Sequence, residues 1–427
     1  MKNTLLLFIK YHLPYFNAEM AENAALKQML FDLLSHSFLP LLNHLERLED
    51  DNVDYGLTIV VSPTFISHLH NEKIIADYAD YLRAQISRAA NVNHYKNLLY
   101  WLTEKYKNSP LDGLANLASY HHLDLVTTAA TNALLSLLAP NETAAQAQIA
   151  VAAAYFKRQF HVNPAGFYVP AESFYVDLAG VLEKYDAGFA LLDAPDAFVN
   201  PLWLSDHFAV FNTDKKLTPA LNALLAEAQK SPDELSNKYL AQLQQAVKDD
   251  TTAVTALIDG KKITPHGVDF IDLLLRKMCY DQKIIKARKT ENYLALVAGD
   301  EHHLYHDNRW LNNNLLAAYQ RDYLDLLPDL HLATLQLTKL KNEQTDKSNS
   351  LILAVMAREL LLAQSGDAEF YRENNLPPLS NRRHLENFFW LGKVFNDLDR
   401  PENRDDFVKL ASNIELLFPH VELLNYY

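Results

Sequence analysis

In Gly166-Phe-Tyr-Val-Pro-Ala-Glu-Ser-Phe-Tyr175 a short apolar strand carrying Phe167 and Val169 meets Pro170, and a carboxylate, Glu172, follows almost at once. Proline cannot donate to a strand ladder, so the strand stops there, and the residues from Ser173 to Lys184 predict a helix. Strand, breaker, acid and helix is the order in which a parallel α/β barrel presents a side chain at the C-terminal end of a strand, where such folds keep their chemistry. The plainer account gives Glu172 only a place in a first helical turn, where a negative charge suits the helix dipole.

Outward from this stretch the same alternation recurs. Leu5 to Lys10, Leu57 to Ser62 ahead of Pro63, Leu123 to Thr128, Gly188 to Asp193, His207 to Asn212 and Tyr293 to Ala298 each read as buried strands. Between them lie helical patterns: Ala18 to Leu48 with Pro40 expected to kink or divide it, Ile74 to Lys107, and Ala144 to Phe160. Leu217 to Val254 is polar and helical and reads as an insertion on the rim. From Trp310 onward only helices are expected, with the polar run Asn342 to Asn349 as a loop between them. Seven strands alternating with helices predict an α/β fold, a (β/α)7 barrel of parallel strands with a C-terminal α-helical domain. The expected division is a barrel over 1–308, with a helical insertion around 217–290, and the helical domain over 309–427.

The chain of 427 residues is 49% hydrophobic and 22% charged, a globular composition large enough to bury a sizeable core. A net charge of −14 argues against nucleic acid or an anionic membrane as partner. Ten glycines without a glycine-rich phosphate loop argue against a nucleotide cofactor. The single cysteine, Cys279, excludes an internal disulfide framework and a cysteine-based zinc cluster. Near the N-terminus the apolar run is only Leu5 to Ile9, with no small-residue cleavage site after it, so a first strand and a cytoplasmic protein are expected.

Two acids stand just past expected strand ends, Glu172 and Asp300. Paired carboxylates about 5–5.5 Å apart are what a retaining glycosidase needs, one as nucleophile and one as acid/base. His302 and His306, four apart, have metal-ligand spacing with Asp300 or His12 as a third donor, but hydrogen-bonded or solvated histidines account for them as well, and no metal site is expected. A metal-dependent deacetylase would need an acid pair after the first strand and His-x-x-x-His after the third, and neither is present. Trp203 and Trp310 follow loop-rich stretches and are candidate sugar-stacking platforms, whereas Trp390 reads as packing.

Several segments, in order, resemble glycoside hydrolase family 57, and within it the α-1,4-glucan branching group. They are His12-Leu-Pro-Tyr15, Phe38-Leu-Pro-Leu-Leu42, Val60-Val-Ser-Pro-Thr64, Gln146 to Ile149, Pro164 to Glu172, Phe208 to Phe211, Asp300 with His306, Ala357 to Asp367, and Arg383-His384. The resemblance implies a seven-stranded barrel, an α-glucan or oligosaccharide substrate, and a retaining mechanism without cofactor, with Glu172 as nucleophile and Asp300 as acid/base. It further implies that His12, in its motif with Tyr15, hydrogen-bonds the sugar where cleavage occurs. Departures are visible. Asn132 follows Ala130-Thr131 where the family has a histidine, Ala171 intervenes between Pro170 and Glu172, the paired tryptophans after Asp300 are replaced by Glu301-His-His-Leu-Tyr305, and Ser365-Gly-Asp-Ala368 lacks a tryptophan. The alternative is therefore a catalytically inactive relative that binds a glycan or a protein.

Overall fold

The computed structural model describes residues 3–17, 23–88, 91–169, 173–193, 201–227, 229–247, 253–281, 285–298, 321–343, 350–376, 381–396, 405–407, 411 and 417–427. Nine strands form one sheet: β1 Asn3–Tyr11, β2 Leu57–Val61, β3 Leu123–Thr127, β4 Gly166–Val169, β5 Phe189–Leu192, β6 Leu202–Trp203, β7 Ala209–Asn212, β8 Ala253–Asp259 and β9 Ile285–Ala287. Their order is β6-β7-β5-β4-β3-β2-β1-β8, with β9 also on β1. Every pairing is parallel except β6 with β7. Seven of the strands make the curled parallel sheet of a (β/α)7 barrel, with helices outside it.

The strands are apolar on both faces, and the two-residue period sorts their side chains into two separate cores. Leu6, Phe8, Val60, Val126, Tyr168, Phe189, Leu191, Ala209, Phe211 and Leu257 fill the lumen. Their sequence neighbours, among them Leu7, Ile9, Ile59, Val61, Phe167, Val169, Ala190 and Val210, pack outward against the helices. In the lumen Phe189 meets Phe8 and Phe211 edge-on, with centroids 6.3 and 5.9 Å apart.

Among the described residues no strand ladder joins β7 to β8. Loop and helix groups serve β8's free edge instead: Asp214 N–H donates to the Thr255 carbonyl (2.9 Å), Asn222 Nδ2 to the Leu257 carbonyl (3.2 Å), and Leu257 N–H to Thr218 Oγ1 (3.3 Å). Backbone polar groups withdrawn from water need such partners.

Two expectations change, and a third takes a specific form. The run Tyr293 to Ala298 is not the seventh strand, because Thr290–Val297 is a helix. Tyr293 and Val297, four apart and so on one helical face, enter the lumen core, while Leu296 is exposed. Its first turn is anchored by β3, where the buried Asp124 carboxylate accepts from Glu291 N–H (2.9 Å) and pairs with Lys289 (3.0 Å). The seventh parallel strand is β8, inside the segment read as a helical insertion. The helices Leu217–Leu225 and Pro232–Ala246 form the crossover into it. Finally, the break expected at Pro40 takes the form of a π-helical turn, Leu34–Phe38, between Ala24–Leu33 and Leu39–Asp50. Leu39 N–H bonds the Leu34 carbonyl five residues back, and Pro40 falls in the first turn of the following helix, where its missing N–H costs nothing.

Beyond β9, the described residues contain helices and no strand. Ser350–Ala363 docks on the barrel through buried amides and hydroxyls. Thr131 Oγ1 donates to the Leu361 carbonyl (2.6 Å), and Gln148 Nε2 donates to Gln364 Oε1 (3.0 Å) and Thr131 Oγ1 (3.0 Å).

β9 lies so close to the lead-in of β2 that a Cβ on Gly56 would stand 2.2 Å from the Arg288 carbonyl carbon and the Lys289 nitrogen. Gly56→Ala therefore forces a backbone to move. A loss of about 1–3 kcal/mol is expected, read as a lower thermal midpoint, and an unchanged midpoint would refute this packing.

Candidate active site

The inward side chains at the C-terminal strand ends are polar where those below them are apolar. Lys10 and Asp259 are register partners on adjacent β1 and β8. Lys10 Nζ donates to the Tyr168 hydroxyl (3.2 Å) and lies 4.7 Å from its ring centre, and Tyr168 OH donates to Asp193 Oδ2 (3.4 Å). Withdrawal from water alone would lower the Lys10 pKa, but Tyr168, Asp259 and Asp193 outweigh it and hold the ammonium above its ordinary value. Burial pushes the Tyr168 phenol up against the opposing charge of Lys10, so it remains a neutral donor.

Past the end of β1, His12 Nε2 donates to Asp367 Oδ1 at 2.8 Å, with His12 7% and Asp367 2% exposed. The same oxygen accepts from Asn132 Nδ2 (2.7 Å), and Oδ2 accepts from Ser365 Oγ (3.0 Å). With Nε2 donating to Asp367, the ring's other nitrogen, Nδ1, is buried and has no hydrogen-bond partner among the described residues. Asn132 sits in the left-handed region (φ 54°), which asparagine tolerates. Its carbonyl comes so near the Ser365–Asp367 turn that a Cβ on Gly366 would be 2.4 Å away.

These groups line a cavity of about 500 Å³, together with Thr213, Phe370, Lys261 and Glu373. Asp259 Oδ1 accepts from Lys261 N–H (3.0 Å), and the Lys261 ammonium lies 3.5 Å from Asp259 Oδ2 and 4.0 Å from the Phe370 ring centre. Carboxylates, an imidazole and an amide converging on a concave rim suit a polyhydroxylated ligand and proton transfer to it. Among the described residues no cluster of histidines, cysteines and acids could hold a metal, and no helix is long and apolar enough to cross a membrane.

Of the residues named from sequence, His12 and Asn132 meet here. Tyr15 instead stacks on His68 (5.8 Å) and does not line the cavity. Trp203 does not face the rim either. β6 runs antiparallel to β7 and pairs Trp203 with Ala209, the first residue of β7, which sets the indole in the lumen core at the opposite end. Glu172, Asp300, His306 and Trp310 lie outside the described residues. Because Thr290–Val297 is a helix, the strand that was to bring Asp300 to the rim is not there. The acid that the seventh parallel strand delivers is Asp259, and its signal was the nearly continuous apolar run Ala253 to Ile258 ending in Asp259-Gly260.

Residues 6–252, more than half of the chain, match the family model described as glycosyl hydrolase family 57. The 1,4-alpha-glucan branching enzyme TK1436 of Thermococcus kodakarensis is 26% identical over 187 residues, a match that spans 40% of this chain and 27% of that protein. Among solved structures, the GH57-type branching enzyme of Pyrococcus horikoshii superposes with a TM-score of 0.79 at 17% identity, covering 100% of this chain and 97% of the other. The α-amylase AmyC of Thermotoga maritima gives 0.77 at 16% identity, covering 99% of each chain.

The loop carrying His12 is clamped from the helix Pro63–His70. Thr64 Oγ1 donates to the Leu13 carbonyl (2.7 Å), His68 Nε2 donates to the Pro14 carbonyl (2.9 Å), and Phe16 covers the imidazole (4.2 Å). Burial, only partly offset by the Pro14 bond, pushes the His68 pKa down to about 4. The unfolded chain takes up this proton near pH 6.5 and the folded chain does not. This group's contribution is therefore complete above about pH 6.5 and lost as the pH falls towards 4, on the order of 3 kcal/mol. Urea midpoints should drop across that window, and His68→Gln should flatten the drop. An equal drop in the variant would contradict the assignment.

Proposed function

Because the chain belongs to glycosyl hydrolase family 57, we propose that it acts on α-1,4-glucans, as a retaining hydrolase or transglycosylase of amylase or branching type. The observation that carries this reading is the convergence of His12 and Asp259 on one cavity at the C-terminal rim, on a barrel whose β4 ends at Val169, three positions before Glu172 in the sequence. In this reading Glu172 attacks the anomeric carbon while Asp259 gives its proton to the departing glycosidic oxygen. The result is a covalent glycosyl-enzyme and a released chain. Asp259 then takes the proton from an acceptor hydroxyl, whose oxygen attacks the anomeric carbon and frees the Glu172 carboxylate. Water as acceptor gives hydrolysis, and a glucan hydroxyl gives transfer. His12, held by Asp367, accepts from a sugar hydroxyl at Nδ1, and the C-terminal helices belong to the working unit because they supply Asp367 and Phe370.

Asp259 takes the acid/base role here in place of Asp300 because it stands on the seventh parallel strand and lines the cavity. One observation favours binding without turnover: the Lys261 ammonium lies over the Phe370 ring, a face on which a sugar would stack.

The protein should change the iodine-staining spectrum of amylose. Glu172→Gln and Asp259→Asn should each slow that change by roughly 10²–10⁴-fold, while Asp300→Asn leaves it intact. A loss in Asp300→Asn with activity kept in Asp259→Asn would return the role to Asp300. Unaltered staining with amylose still bound would establish the silent reading.

A further inference from the structure

A second cavity, of about 430 Å³, adjoins the first. It lies against the helix Ala24–Leu33 and the π-helical turn after it, which contribute Met29, Leu33 and His36, and it reaches Asn374 beyond the helix Ala368–Glu373. Asp259, Lys261, Lys262 and Glu373 line both cavities. Tyr168 of β4, His12 and Asn132 line only the first.

A general acid that cleaves a glycosidic bond stands beside the oxygen joining two sugars, so one sugar lies on either side of it. The sugar attacked at its anomeric carbon belongs on the β4 side, and on that side Asp259 faces the cavity of His12 and Asn132. The rest of the chain must leave on the other side of Asp259, and there the structure offers the second cavity. Its walls combine apolar Met29 and Leu33 with hydrogen-bonding His36 and Asn374, a mixture that suits the faces and rims of a pyranose ring.

We infer that this second cavity is the leaving-group and acceptor arm of the site, that it binds the α-glucan residues beyond the scissile bond, and that Met29 and His36 set its grip on them. The inference rests on the glucan-active reading above and adds where the second half of the substrate lies. Transfer to a glucan, as opposed to water, would then depend on this arm being filled.

Met29→Trp, which fills the arm from a half-buried helix position, and His36→Ala, which removes a contact, test it without touching the first cavity. Two donors separate the arms: maltoheptaose, whose leaving group is a glucan, and α-maltosyl fluoride, whose fluoride needs no sugar-binding arm. Both variants should lose about tenfold or more in kcat/KM for maltoheptaose and stay within about twofold for the fluoride. Equal losses for both donors, or no loss for either, would overturn the inference. If the unaltered protein consumes neither donor, the glucan-active reading has failed by itself, and calorimetric titration decides the arm. Weakening of maltoheptaose by about tenfold in Met29→Trp with maltose unaffected sustains it. No difference between the sugars, or no binding to the unaltered protein, ends it.

Discussion

The Asp367 carboxylate, 2% exposed, accepts hydrogen bonds from His12 at the end of β1, from Asn132 in the loop after β3, and from Ser365 in its own turn. A carboxylate withdrawn from water is costly unless its lone pairs are met, and here groups from the barrel and from the C-terminal helices must arrive together to meet them. That requirement ties the helices to the rim. Gly366 answers to it, since any side chain there would strike the Asn132 carbonyl. The buried amide bonds of Gln148 with Thr131 and Gln364 answer to it as well, by holding the end of the helix Ser350–Ala363 in place.

Below this knot the barrel is a packed body. Its lumen is filled through the middle by aromatic and aliphatic side chains; Thr58 and Asp124 face the start of the helix Thr290–Val297 at the lower end, and polarity returns at the C-terminal rim. Lys10 and Asp259 pair directly across β1 and β8, and Tyr168, Asp193 and Thr213, inward residues near or just past the ends of β4, β5 and β7, join them around one cavity. The Lys10 ammonium stands among the carboxylates, and Lys261 pairs with Asp259 beside it, which keeps the rim's acids from facing one another without a counter-charge. The site is therefore a consequence of where each strand stops, and a strand placed wrongly in the chain misplaces a catalytic candidate.

That is what separates the legible from the illegible in this sequence. β1 to β5 and β7 could be read because each is a short apolar run bounded by a proline, glycine or polar residue, and His12 followed from the end of the first, whereas Asn132 came from the family resemblance around Ala130-Thr131. β8 was hidden behind the polar helices of its crossover. A six-residue apolar run at Tyr293 took its place, and periodicity cannot tell a strand from a buried helical face at that length. What makes Thr290–Val297 a helix is tertiary: Asp124, far back in the chain, caps its start, and the lumen needs its Tyr293 and Val297. Trp203 failed as a platform for a related reason, since nothing local announces that β6 runs against its neighbours. The bond between His12 and Asp367 joins residues 355 positions apart, and no local pattern marks it.

The account stands on a retaining site at this rim, and covalent trapping tests it most directly. The Asp259→Asn variant, incubated with a fluorinated maltosyl fluoride and digested, should yield a single peptide carrying the maltosyl mass, with the sugar on Glu172. An adduct on another residue, or none while the unaltered protein still consumes the same reagent, would contradict it.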